Sequence, residues 1–487
     1  MAPHGQFPPH DPQAQFGSHV PYGPPAVVPP AGPKSKRGLW ILLGSVLAVV
    51  LLITGTLFGL RSYFQGQQAE RAAAYAARED ERNPIKRAEI DALLAGLTKA
   101  LKDRDEKAFL AAYDPAQKKL VSQQTTLFRN LVKVPFAEAT FMRYGGGSDF
   151  KPLGTGASVE QPVAFVHKLD GYDLHPVSEE YRWTIVRTEK GAPIKVTAAK
   201  GITSDDSFVS YYPAPWDKWR NIHVERTKHT LFIVDASLKA QARRYAPEAE
   251  RAAVANLAAW RAGGVSGAIP QGFVISLVKG RKDLGSLYRE SKEVPPEAGF
   301  SLALSTFEDP NALVDDDTNP QVGGSRVVVD LGSPFFRPSE PDGPGLLFRH
   351  ELGHSLAAAL TFQKPSEFAS RSSWLIEGFA EYLAYERRPW TVSGRTPAVK
   401  QSLRDGYALR LQDDFDLSNP ESSNLDYWAG HSAVGYMAEK YGEQKTFEVV
   451  AEHYRGKEVG DALQQVLGVS DKDFNEAWKS YVLAKIR

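Results

Sequence analysis

Apolar positions follow several distinct rhythms along this chain, and each predicts a different structure. Leu39 to Leu60 (LWILLGSVLAVVLLITGTLFGL) runs 22 residues without a charge. About 20 apolar residues at 1.5 Å rise cross a hydrocarbon core of about 30 Å, so this stretch predicts a transmembrane helix. It is too long and too far from the N-terminus for an ordinary cleaved signal peptide. Lys34, Lys36 and Arg37 precede it, whereas Arg61 is the only charge behind it before Glu70. That bias predicts a cytoplasmic N-terminus and an extracytoplasmic remainder, with Trp40 and Tyr63 at the two interfaces.

Beyond the span, Gln67–Arg82 is rich in Ala, Glu and Arg and reads as a helical stalk, broken at Asn83-Pro84. Ile90, Leu93, Leu94, Leu97 and Leu101 then recur at three- and four-residue intervals, the stripe of an amphipathic helix, and a second helical stretch covers Glu106 to Leu131. The period next shortens toward two: Val163–Leu169, Tyr181–Thr188 and Ile194–Ala198 read as strands, with Glu189-Lys190-Gly191 as a turn. Helices followed by an antiparallel meander predict a small α+β domain over 85–212. The order of helices and strands resembles the cone-shaped NTF2-like fold. His167 and His175 read as ordinary strand and loop residues.

Pro213-Ala214-Pro215 marks the next boundary. After it come a strand (His229–Asp235), an Ala-rich helix (Leu238–Arg261), and strands at Gly272–Val278 and Arg326–Leu331. Composition narrows what these elements can do. Lys+Arg and Asp+Glu both number 58, a balance unlike that of a protein built to hold nucleic acid. Ten of the first 33 residues are Pro, which makes 1–38 a solvated tail, with His4, His10 and His19 as polar filler. There is no cysteine, which excludes disulfide scaffolds, thiolate zinc sites, iron–sulfur clusters and cysteine nucleophiles. Any metal must be held by His, Asp or Glu.

Such residues meet at Arg349-His350-Glu351-Leu352-Gly353-His354. On a helix, positions four apart lie one above the other, so the imidazoles of His350 and His354 can bind one Zn²⁺ at about 2.0–2.1 Å each. Glu351 is one step around, placed to take a proton from water rather than to ligate. Apolar residues before the motif and Ala357–Ala359 after it support a helix. The apolar flanks are too short for an intramembrane site.

Twenty residues on from His354 comes Trp374-Leu375-Ile376-Glu377-Gly378-Phe379-Ala380-Glu381-Tyr382. Together the two segments resemble the gluzincin group of zinc metallopeptidases, with a peptidase MA-like domain over 216–487. The resemblance implies a zincin-like fold of mixed sheet and active-site helices. It implies His350, His354 and Glu377 as ligands to one zinc ion, Glu351 as general base, and Glu381 as a carboxylate partner for a ligating imidazole. It further implies an oxyanion-stabilising group near Tyr427-Trp428-Ala429-Gly430-His431, either Tyr427 or His431. The segment Arg326–Asp330 is expected to be the edge strand along the cleft, with Asp330 as a surface residue. Phe474 and Trp478, four apart in the closing helices, read as core.

The expected protein is thus a single-pass membrane peptidase acting on a peptide or protein substrate. The alternative is a membrane-tethered scaffold whose zincin-like domain is catalytically silent.

Overall fold

The computed structural model describes residues 83–145, 150–203, 211–288, 297–307, 322–340, 342–361, 372–415 and 419–486. The expected tail, span and stalk through Arg82 lie outside the described residues. Among the described residues, no helix is long and apolar enough to cross a membrane.

After Asn83-Pro84, α1 (Arg87–Lys102) buries Ile90, Leu94, Leu97 and Leu101, and the Glu89 carboxylate accepts the Lys86 backbone N–H at 2.9 Å across its first turn. The expected second helix is two helices, α2 (Glu106–Leu110) and α3 (Lys118–Leu131). Asp114-Pro115 lies between them, and a proline ring cannot continue the helical ladder. Strands β1 (Phe136–Arg143), β2 (Lys151–Leu153), β3 (Gly156–Leu169), β4 (Val177–Arg187) and β5 (Lys195–Gly201) follow. They form an antiparallel sheet in the order β1-β3-β4-β5, with β2 on β3. The three strands expected from alternation fall in β3, β4 and β5; β1 and β2 were not anticipated.

A short helix α4 (Pro215–Lys218) leads into the second sheet. This sheet contains β6 (Ile222–Arg226), β7 (Thr230–Asp235), β8 (Phe273–Val278), β9 (Gly299–Ser305) and β10 (Val322–Asp330), in the order β6-β7-β8-β10-β9. The β7–β8 and β8–β10 pairs are parallel, and β10–β9 is antiparallel. This corrects the expected edge strand. Arg326–Asp330 lies inside the sheet between β8 and β9, and the edge is β9.

Helix α5 (Lys239–Gly263) joins β7 to β8, and α6 (Arg281–Leu284) follows β8. The remaining helices are α7 (Gly343–Ala358), α8 (Ser373–Ala384), α9 (Thr396–Arg404), α10 (Pro420–Tyr441), α11 (Glu443–Tyr454), α12 (Val459–Leu467) and α13 (Asp471–Ile486). Phe474 and Trp478 of α13 are fully buried against this helical layer.

Both faces of the second sheet are covered. Phe232, Val234, Ile275, Leu277, Val327 and Val329 pack under the helices, while Leu231, Ile233, Val274 and Val328 pack toward the first sheet. That is why its inner strands β7, β8 and β10 carry unbroken apolar runs instead of alternating ones. The two sheets share one core across Pro213–Pro215, reinforced by polar ties. The Asn130 side chain donates to the carbonyls of Trp216 and Trp219 and accepts from the Ile222 N–H. Asp173 grips Arg326 of β10 through two bonds of 2.6 and 3.0 Å, both side chains being buried. His167 lies in β3, as expected of a strand residue, and is fully buried with Nδ1 3.5 Å from a Glu179 carboxylate oxygen.

Near this buried cluster, desolvation lifts the Asp217 carboxyl to about 7, against the Tyr181 hydroxyl and the Ala214 N–H, which hold it down. Asp217 therefore binds its proton more tightly folded than unfolded. Its stabilising contribution is fully present below about pH 4 and is lost as the pH rises to about 7. Urea midpoints of the wild type and Asp217→Asn, compared from pH 4 to 7.5, test this. The wild type should lose stability relative to the variant across that window; a pH-independent difference would contradict the assignment.

Candidate active site

Helix α7 follows β10 through Pro334–Asp342 and carries Pro344 in its first turn, where a missing N–H costs nothing. It runs along the edge strand: the Ser301 and Ser355 hydroxyls meet at 2.7 Å. Helix α8 crosses α7 and is pressed against α10 from the other side. The α8–α10 crossing is a contact between backbones. A Cβ on Gly378 would lie 2.4 Å from the Gly430 backbone, and one on Gly430 would lie 2.5 Å from the Trp374 carbonyl oxygen. Only glycine permits that approach, and it holds the neighbouring Glu377 at its depth in the site.

The result is a near-equilateral triangle. His350 Nε2 and His354 Nε2 are 3.2 Å apart, and each lies 3.2 Å from Glu377 Oε2. Three corners of a tetrahedron with bonds of about 2.0–2.1 Å are about 3.3–3.4 Å apart, so the spacing fits a zinc ion. Two imidazoles and a carboxylate are also a zinc-type donor set with room for a fourth ligand. No other group of three or more such side chains converges in this way among the described residues.

The far nitrogen of His350 is held as well. Its Nδ1 lies 3.2 Å from Glu381 Oε1, and the other Glu381 oxygen accepts from Arg395 Nη1 at 2.6 Å. A proton kept at Nδ1 leaves the Nε2 lone pair facing the triangle. Glu351 is buried at the next position on α7 and lines the same cleft, of about 680 Å³. Its wall is the start of β9, where a Cβ on Gly299 would come within 3.0 Å of Glu351 Oε1.

The electrostatics follow from crowding acids around two imidazoles. Burial disfavours a charged His350, but Glu377 and Glu381 outweigh it and push its pKa up to about 10. Burial likewise opposes ionisation of Glu377, yet His354 and His350 hold it well below the carboxylate range. Glu381, also opposed by burial, is drawn down to about 2 by Arg395 and His350. Glu351 goes the other way, raised by burial despite both imidazoles. The cluster attracts positive charge at the triangle and leaves one carboxylate unusually basic beside it.

The two oxyanion candidates part company. Tyr427 lines the cleft with its ring centroid 6.0 Å from that of His350. His431, one helical turn on, is fully buried, does not line the cleft, and stacks on Tyr385 at 5.1 Å. Asp330 is also buried rather than at the surface. Its Oδ1 accepts the N–H groups of Gly280 and Gly332 at 2.6 and 2.7 Å, shaping the turns beside the cleft. Sequence reading missed Arg395, which no local pattern marks. It also missed β9, whose alternation of Phe300, Leu302 and Leu304 with small residues was a usable signal.

Residues 346–481, from α7 into α13, match the peptidase M9 (collagenase) family model. The chain is a zinc metallopeptidase. No curated protein matches it. The matched span contains both imidazoles, Glu377, Glu381, Arg395 and Tyr427, whereas β9 lies outside it. As a hydrolase of peptide bonds, this metallopeptidase takes a peptide or protein substrate.

The Gly378–Gly430 contact makes a prediction. Gly378→Ala must push α8 away from α10, an overpacking cost of about 1–3 kcal/mol, and shift Glu377 with it. Zinc affinity, measured by competition with a chromophoric chelator, should fall at least about tenfold while the chain stays folded. Unchanged affinity would mean that the contact does not set the position of Glu377.

Proposed function

We propose that this metallopeptidase is of the gluzincin type, in a zincin-like domain over 216–487, with one zinc ion held by His350, His354 and Glu377. The observation that carries the reading is the 3.2 Å triangle of donor atoms with Glu351 at its side. When bound there, zinc supplies a Lewis acid that acidifies water and polarises a carbonyl. The remaining work falls to the chain. Glu351, made more basic by burial, takes the proton of the attacking water and passes it to the leaving amine. Glu381 keeps the His350 ring in one tautomer and orientation.

Tyr427 is the better oxyanion donor of the two candidates, because it faces the cleft while His431 is enclosed. Burial keeps its hydroxyl protonated far into the alkaline range, as a donor must be. The substrate extends beside β9, whose residues Gly299 to Ala303 line the cleft. Among the described residues no strand pairs with the outer side of β9, which makes it the sheet edge on which this reading lays the substrate. The segment 85–212 resembles an NTF2-like body only in its order of helices and antiparallel strands, and acts in this reading as a buttress for the second sheet.

In this reading the apolar stretch 39–60 crosses a membrane with its basic flank, Lys34, Lys36 and Arg37, on the cytoplasmic side, so that the peptidase works outside the cytoplasm. The silent-scaffold alternative has nothing in its favour, since ligand set and base are all present and convergent.

Glu351→Gln removes the base and spares the ligands. It should lower kcat/KM on a mixed peptide library by about 10²–10⁴-fold while zinc content stays at the wild-type level. Full activity in the zinc-loaded variant would overturn the mechanism. Tyr427→Phe should reduce kcat by about 10²–10³-fold with little change in KM. An effect confined to KM would reassign Tyr427 to substrate binding.

A further inference from the structure

Arg395 is the N-cap residue of α9 and lines the cleft with its guanidinium largely enclosed. Three contacts converge on that one group. Nη1 donates to Glu381 Oε2 at 2.6 Å, Nε donates to Asn424 Oδ1 at 3.2 Å, and Cζ lies 5.0 Å from the centroid of the Tyr427 ring. Glu381 belongs to α8 and turns its other oxygen to His350 Nδ1 at 3.2 Å. Asn424 and Tyr427 belong to α10. One side chain therefore touches both the carboxylate that orients a metal-ligating imidazole and the ring proposed to stabilise the oxyanion.

The chemistry suits arginine and not lysine. A planar guanidinium donates in two directions within its plane while offering its face to an aromatic ring. An ammonium can neutralise one carboxylate, yet it cannot brace Asn424 and stack on Tyr427 in the same pose. Glu381 is itself buried, with a side chain 6% exposed, so its position depends on a partner that stays charged.

Resting on the metallopeptidase reading above, we propose that Arg395 is a positioning residue serving both halves of the site: it fixes His350 through Glu381, and it fixes Tyr427 through ring contact, so metal affinity and turnover are coupled through one guanidinium. Arg395 need not touch the substrate to do this.

The test uses the full chain as wild type, Arg395→Gln, Arg395→Lys, Glu381→Gln and the double variant Arg395→Gln/Glu381→Gln. Zinc affinity is measured by chelator competition, and kcat and KM are measured separately at saturating zinc. Arg395→Gln should weaken zinc by about 10–100-fold, as Glu381→Gln does, and the double variant should be no weaker than either single one, because both break one linkage. Arg395→Lys keeps the charge against Glu381, so its zinc affinity should stay near the wild-type value. Its kcat should fall about tenfold at unchanged KM, because the Tyr427 contact is lost.

Zinc affinity in Arg395→Gln equal to that of the wild type, additive losses in the double variant, or unchanged kcat in Arg395→Lys would each overturn the proposal. Should Arg395→Gln fail to fold, the lysine variant alone still decides the Tyr427 half. A wild-type chain that binds no zinc would instead bring down the metal reading, and this proposal with it.

Discussion

Three electron-rich atoms are forced to within 3.2 Å of one another in the cleft between β9 and the helices, and everything functional depends on that crowding. Left alone, two imidazole nitrogens and a carboxylate oxygen gain nothing from such proximity without a proton or cation between them. The approach is imposed from outside by helix packing. Gly353 of α7 lies against Ala380 and Leu383 of α8, and Gly378 of α8 against Gly430 of α10. The buried aromatic layer of Trp374, Phe379, Trp428, Phe474 and Trp478 holds those helices together. Hydrophobic burial thus maintains an electrostatic arrangement that the site residues could not sustain by themselves.

The acidic surroundings complete the logic. Glu377 and Glu381 lower the cost of a cation at the triangle, and Arg395 balances the second of them. Glu351 is left with burial as its main influence. Within one cleft, neighbouring carboxylates are driven in opposite directions, two toward permanent charge and one toward proton exchange. That separation of roles is what acid–base chemistry beside a metal requires.

How much of this was readable beforehand depended on whether the information was local. His350 and His354 could be paired because one helical turn fixes their geometry, and Glu377 and Glu381 because the contiguous segment Trp374–Tyr382 carries the resemblance to the gluzincin group. Tyr427 and His431 share a helix face by spacing alone, yet one turn along α10 is the distance from open cleft to the packed underside of Tyr385. Strand order was out of reach, since pairing joins segments far apart in the chain: the Val327–Val329 run marks a strand but not its neighbours, and only the sheet places β9 outside it. Asp330 looked like a surface acid because its partners, two backbone amides, leave no trace in side-chain pattern. Arg395 is joined to Glu381 only through tertiary structure, 14 residues away across a 3-10 turn. The grip of the β3–β4 turn on β10 through Asp173 and Arg326 was equally hidden, being a pairing across 153 residues.

Anomalous diffraction at the zinc edge, from crystals of the zinc-loaded protein, tests the central claim most directly. The account predicts one peak about 2.0–2.1 Å from His350 Nε2, His354 Nε2 and a Glu377 oxygen, with no fourth protein ligand. No peak within reach of those atoms, or a site closed by a fourth side chain, would contradict it.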